Sequence, residues 1–338
     1  MKNKIFNVLK YLLFIGLGLF LVWYSLQQIP EGKWAEFKLA FATAKYWLLI
    51  PVFFIISTSH VLRALRWQML MKPLDHHPGL RNTFFAVMIG YLANLAVPRL
   101  GEVLKCTILS KYEKVPVQKL MGTIVAERAF DVVCLGLLFL LAFAFQYDVI
   151  GEYGKQMLRR VFEDQSGQFS LNKVVITCAI AIAALIIVRI VLRRFLHISM
   201  VHSIAKFIEG IGHGLVSIKD MKQKWAFIFA SIGIWAMYIL GTWIGFYATV
   251  GTAGLSIEIA ISALAFASIG MILTPGGIGA YALLMAGVLE KNGVPFEQGF
   301  ANGTLQWFAQ FIIVLVVGSI SLGLLPWYNK KIRNYETS

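Results

Sequence analysis

The sequence predicts an all-α integral membrane protein: a helical bundle of about six spans plus two opposed re-entrant hairpins, arranged as an inverted repeat. Three observations predict it. Of 338 residues, 58% are hydrophobic and only 14% charged, and the mean hydropathy is +0.72; soluble domains run about 45–50% apolar and about 25% charged. The apolar residues lie in long continuous stretches, the pattern of membrane helices rather than of alternating barrel strands. The 31 Lys and Arg outnumber the 17 Asp and Glu, and their positions are consistent with one topology only if two stretches turn back within the membrane.

The first apolar run, 11–26, follows Lys2, Lys4 and Lys10. It resembles a signal peptide, but Gln27-Gln28-Ile29-Pro30 follows in place of a small-residue cleavage site, so a retained anchor is expected. Further runs cover 46–62, 80–97, 120–145, 174–192, 225–250, 257–273, 278–289 and 304–325. Cys106, Cys134 and Cys178 stand apart with no CxxC, so they read as small hydrophobes rather than a disulfide framework.

If every run crossed fully from a cytoplasmic N-terminus, the basic segments 99–119 and 193–224 would lie outside, placing 11 of the 31 basic residues on the wrong side. If 80–109 instead turns near Pro98 and leaves on its own side, 21 Lys and Arg face the cytoplasm and eight face outward. Parity then requires 257–289 to enter from the outer face and turn at Pro275-Gly276-Gly277. Span–hairpin–span therefore occurs twice in opposite orientation, with broken helices meeting inside the protein, as in inverted-repeat transporters. The expected divisions are an N-terminal anchor (1–45), a first repeat half (46–146), an outer loop (147–173), a span with a cytoplasmic amphipathic helix (174–224), a second half (225–326) and a cytoplasmic tail (327–338). The amphipathic helix is read from Val201, Ile204, Ile208, Ile211, Leu215 and Ile218, spaced three or four apart.

Charges in or beside apolar runs cost about 2.5–3.5 kcal/mol each on insertion scales, so they are candidates for function. Arg63, Arg66 and Trp67 end the second run. The two arginines are three apart and share a helix face, and their planar forks fit phosphate oxygens; two snorkelling anchors are the structural alternative. Asn94, Pro98, Arg99, Gly101, Glu102 and Lys105 surround the first turn. There, the N–H groups opening a second limb and Arg99 would face an anion together, with Glu102 pairing an arginine or carrying a proton. Glu127, Arg128 and Asp131 open the fourth long run, with both carboxylates on one face; a structural ion-pair network is equally compatible. Thr274, Pro275, Gly276, Gly277 and Gly279 interrupt apolar sequence without charge, and a helix starting at Ile278 would carry Tyr281. Gly241 and Gly245 form a GxxxG, the signature of close helix packing. The sequence has no P-loop ATP motif, no HExxH and no His set with metal-ligand spacing. No cofactor, metal or catalytic set is expected, and the chain is not expected to be an enzyme.

On the stretches Arg63-Ala-Leu-Arg66-Trp67, Pro98-Arg99-Leu-Gly101-Glu102, Glu127-Arg128-Ala-Phe-Asp131 and Thr274-Pro275-Gly276-Gly277-Ile278-Gly279, the chain resembles the flippase-like membrane region of lysylphosphatidylglycerol synthases. The resemblance implies a lipid translocase that moves an anionic or aminoacylated head group between leaflets. Where many members carry a Glu about three residues after the last glycine, this chain has Ala282 after Tyr281. The soluble aminoacyl-transferase domain is missing, so lipid aminoacylation is not expected. The expected substrate is a phospholipid or a polyprenyl-linked lipid in the plasma (inner) membrane, moved without ATP hydrolysis. Both termini are expected in the cytoplasm, with a homo-oligomer or a membrane-protein partner open and nucleic acid excluded. The alternatives are a membrane enzyme on a polyprenyl or phospholipid phosphate and a small-anion transporter.

In a cysteine-free background, a single cysteine replacing Lys111 should react with impermeant maleimide only from the cytoplasmic side. Labelling only from outside would remove the first hairpin.

Overall fold

The computed structural model describes residues 16–97, 100–147 and 221–336. Pro98 and Arg99, the run 174–192, the amphipathic segment 201–218, Cys178 and nearly all of the loop 147–173 therefore lie outside the described residues. Among the described residues there is no strand. The helices are α1 (Gly16–Gln27), α2 (Trp34–Ala42), α3 (Leu49–Met71), α4 (Leu80–Ala96), α5 (Leu100–Glu113), α6 (Val117–Phe145), α7 (Lys224–Phe246), α8 (Ile257–Leu273), α9 (Ala280–Lys291) and α10 (Phe296–Glu336). Four of them are long and apolar enough to cross a membrane: α3 with its flanking turns, α6, α7 and α10. The chain is a multi-pass membrane protein.

Two halves emerge with matched elements. In the order span, first limb, second limb, span, they are α3–α4–α5–α6 and α7–α8–α9–α10. The opening spans α3 and α7 are each 23 residues, and the first limbs α4 and α8 are each 17. α3 and α7 pack antiparallel: Lys72 Nζ donates to Gln223 Oε1 at one end (2.7 Å), and the Lys45 N–H donates to the Ala248 carbonyl at the other (2.8 Å). Each hairpin follows its own opening span, so the two enter from opposite faces. The closing span of each half grips the other half's hairpin, α10 against α4 and α6 against α8.

Small residues let these broken helices close. A Cβ on Gly101 would lie 1.9 Å from the Gly90 carbonyl oxygen, so α4 and α5 touch backbone to backbone. A Cβ on Gly270 would lie 2.7 Å from the Ala280 carbonyl carbon, the same device in the second hairpin. In lipid, helix association depends on such packing because the surrounding tails are as apolar as the helices. Gly241 and Gly245 act likewise, against Ile56 and Gln306.

Several boundaries differ from the sequence reading. The second run continues as helix to Met71 rather than stopping at 62. α9 begins at Ala280, not Ile278, because Gly279 adopts φ +72°, ψ −46°. The last helix runs from Phe296 to Glu336 and passes through Pro326, so it extends through 327–336, past the run that ended at 325. Past the proline, Asn329 and Asn82 exchange side-chain amide hydrogen bonds (2.8 and 3.0 Å), and the Tyr328 ring meets Phe85 and Arg81. These contacts with α4 hold the helix beyond the point where a proline usually ends one.

Gly101→Ala should destabilise the protein by at least about 1–3 kcal/mol through overpacking. Gly136→Ala, where an added Cβ meets nothing within 4 Å, should be neutral or slightly stabilising. Melting of both variants in detergent checks the contrast.

Candidate functional site

The charged residues of α3, α5 and α6 converge. Arg63 and Arg66, one turn apart on α3, face Glu127 and Asp131, one turn apart on α6. Arg63 Nη1 donates to Glu127 Oε1 (2.9 Å) and Asp131 Oδ2 (2.8 Å). Arg66 Nη2 donates to Asp131 Oδ1 (2.7 Å) and, at 3.4 Å, to Glu127 Oε1. Lys105 of α5 reaches Glu127 Oε2 (3.0 Å), and Arg128 Nη2 bonds Glu127 Oε1 (2.9 Å). Neutral partners complete the set: Tyr238 Oη accepts from Arg63 (3.2 Å), Ser231 Oγ from Arg66 (3.3 Å), and Thr123 Oγ1 from Trp67 Nε1 (2.8 Å). Lys105 Nζ sits 4.7 Å from the centre of the Trp67 ring.

The placement corrects two readings. Arg63, Arg66 and Glu127 are buried, and Glu127 is the eleventh residue of α6. The arginines do not snorkel from a helix end, and the acids do not open their helix. Pairing across helices is what allows charge at that depth. Four cations face Glu127, Asp131 and, at the cavity and cleft, Glu102, an excess of one positive charge, and the Nε atoms of Arg63, Arg66 and Arg128 are buried without a partner. The cluster is charge-matched for one further anion.

Beside it lies a cavity of about 770 Å³, within the range of small-molecule and cofactor sites. His60, Arg63, Tyr91, Glu102, Arg128 and Asp131 line its charged side. Tyr238, Thr242, Gly276, Tyr281, Gln306, Trp307 and Gln310 line another side, and the remaining wall is apolar. α6 and α8 pack through Leu138 and Ala142 against Ile261, Leu264 and Ala265. Elsewhere along these helices, Val125 and Val132 of α6 and Met271 and Ile272 of α8 line the cavity while 41–71% exposed. The cavity therefore opens sideways between α6 and α8 through an apolar mouth.

Not every candidate reaches it. Arg66 and Trp67 are sealed behind the cluster. Asn94, Gly101 and Lys105 instead border a narrow cleft of about 20 Å³, room for one water, together with Glu102 and Arg128. Of the N–H groups opening the second limb, that of Gly101 is taken by Asn94 Oδ1 at 2.8 Å. Glu102 forms no ion pair among the described residues. Of the glycine turn, only Gly276 borders the cavity, and its carbonyl accepts from Trp307 Nε1 (2.6 Å). Thr274 closes the turn onto the Ile278 carbonyl (3.0 Å), and Pro275 opens its 3-10 segment. A Cβ on Gly277 would collide with Met271 Sδ, and one on Gly279 would lie 2.6 Å from the Gly18 carbonyl oxygen on α1. At those two glycines the missing side chain makes room for packing. Sequence reasoning missed His60, Tyr91, Tyr238, Gln306 and Gln310, all uncharged polar residues inside apolar runs.

Glu127→Ala should cost about 3–5 kcal/mol, because it strands buried cations. Adding Lys105→Met should recover part of that loss, and a double-mutant cycle in melting should give a coupling of about 0.5–3 kcal/mol. Strict additivity would show that the pair is not coupled.

The family described as the lysylphosphatidylglycerol synthase TM region matches residues 7–318. The UPF0104 membrane protein MJ1595 of Methanocaldococcus jannaschii is 24% identical over 295 residues, covering 84% of this chain and 86% of the relative. No solved structure matches the chain significantly. The match spans nearly all of the broken-helix scaffold described above: the chain belongs to the lysylphosphatidylglycerol synthase TM-region family.

Proposed function

We propose that this protein is a lipid translocase that moves the phosphate-bearing head group of a membrane lipid between leaflets without ATP hydrolysis. The observation that carries the reading is the sideways mouth between α6 and α8, leading to a cavity with a cationic end. A lipid keeps its tails in the bilayer at such a mouth while its head group enters. Arg128, whose side chain is 35% exposed, is positioned to meet the phosphate, with Arg63 behind it. The excess of one positive charge offsets the desolvation of one phosphodiester. The family description also points to lipids. The protein works in this reading as a transporter rather than an enzyme, in the plasma membrane with both termini cytoplasmic. A small-anion transporter would use the same cations, but a mouth lined by Val125, Val132, Met271 and Ile272 suits acyl chains rather than a hydrated ion.

In reconstituted vesicles, acyl-labelled phospholipids should become accessible in the opposite leaflet faster than in protein-free controls. Arg128→Ala should slow this by about tenfold or more, since a charge-assisted contact contributes about 1.5–3 kcal/mol. Arg128→Lys should restore it partly, a point charge replacing a fork. Sulfate or phosphate uptake with no lipid movement would favour the anion transporter.

A further inference from the structure

The two halves of the protein place different chemistry at equivalent positions. Glu127 and Asp131 are the eleventh and fifteenth residues of α6; Gln306 and Gln310 are the eleventh and fifteenth of α10. Arg63 is the fifteenth residue of α3, and Tyr238 the fifteenth of α7. At each place the second half replaces a charged group with a neutral hydrogen-bonding one, and Tyr238, Gln306 and Gln310 all line the cavity. The repeat therefore builds a two-ended chamber.

The ends adjoin along α7. Tyr238 accepts from Arg63, and one turn on, about 6 Å along the axis, the Thr242 carbonyl accepts from Gln306 Nε2 (3.3 Å). Gln310 Nε2 donates to Tyr281 Oη (3.0 Å), and the Gln310 Oε1 carries no partner among the described residues. The carboxylates lining the cavity, Glu102 and Asp131, both belong to the first half, and Asp131 is already held by Arg63, Arg66 and Arg128.

We propose that the chamber selects an anionic lipid whose phosphate is followed by an uncharged polyol, with the phosphate at Arg63 and Arg128 and the hydroxyls at Gln306, Gln310 and Tyr281, and that it discriminates against head groups ending in an amine. This deepens the translocase reading and rests on it. The Gln310 amide can both donate and accept and the Tyr281 hydroxyl can donate, while Gln306, whose Nε2 already serves Thr242 and Asn302, offers a polyol its Oε1 as an acceptor. An ammonium in the same place would find no carboxylate of the second half to pair with, and desolvated like charges would repel it from the arginines at the other end.

The test uses the purified full chain with phosphatidylglycerol, phosphatidic acid and lysyl-phosphatidylglycerol, read in two ways: lipid-induced shift of melting in detergent, and leaflet exchange in phosphatidylcholine vesicles. Phosphatidylglycerol should be favoured about tenfold over the lysyl form and about three- to tenfold over phosphatidic acid, which lacks the polyol. Gln310→Leu should collapse the phosphatidylglycerol-to-phosphatidic acid ratio. Gln310→Glu, which restores a carboxylate at the position equivalent to Asp131, should move the preference toward the lysyl form. Equal response to all three lipids, or ratios unmoved by both variants, overturns the proposal. Selective stabilisation by phosphatidylglycerol without leaflet exchange upholds the selectivity and overturns translocation instead.

Discussion

A carboxylate that enters hydrocarbon must bring its counter-charges with it, and Glu127 is where this chain meets that requirement. It is fully buried, yet Arg63, Arg66, Lys105 and Arg128 all bond its two oxygens. Because the partners come from α3, α5 and α6, satisfying one charge fixes how the opening span, the inner limb of the hairpin and the closing span sit together. Lys105 ties α5 of the first hairpin to α6, beside the packing of α4 on α3 and α10. The second half meets the milder demand of buried amides: Asn302 Nδ2 donates to the Gly245 carbonyl and to Thr249 Oγ1, both at 2.9 Å, and Gln306 Nε2 donates to Asn302 Oδ1 at 2.8 Å. The same scaffold is thus held by ion pairs on one side and by neutral hydrogen bonds on the other.

Much of the fold was legible in the sequence, because membranes impose parity. Lys and Arg distribution required two stretches to turn back; α4 ends at Ala96 and α5 begins at Leu100, on either side of Pro98, and the second interruption, 274–279, holds Pro275-Gly276-Gly277. Helix ends were less legible. Taking a charge as the sign of the membrane surface ended the second run before Arg63, whereas α3 carries both arginines inward and continues to Met71. Apolarity reports what a helix faces only when its charges are unpaired, and pairing is a property of the tertiary structure.

The site was legible by halves. Arg63, Glu127, Arg128 and Asp131 announced themselves because a charge in an apolar run demands an explanation. Gln306, Gln310 and Tyr238 carry no such penalty, and only their matching ordinal positions in the second half, visible once both sets of helix boundaries are known, single them out. The glycines were legible only in part. Gly277 and Gly279 stand out as interruptions of apolar sequence; the structure adds a positive φ at each and neighbours, Met271 and α1, that fill the space beside them. A glycine records that something comes close; it does not record what.

Helix α10 has a consequence for motion. Its Gly303 lies against Ala282 of the second hairpin, and its Gly318 lies against Leu92 and Met88 of the first. Fifteen residues of continuous helix, about 22 Å, join these two points, and a packed helix transmits displacement rather than absorbing it. A displacement of either hairpin would therefore press on the same shaft that packs against the other, so one continuous helix links the two broken-helix pairs mechanically.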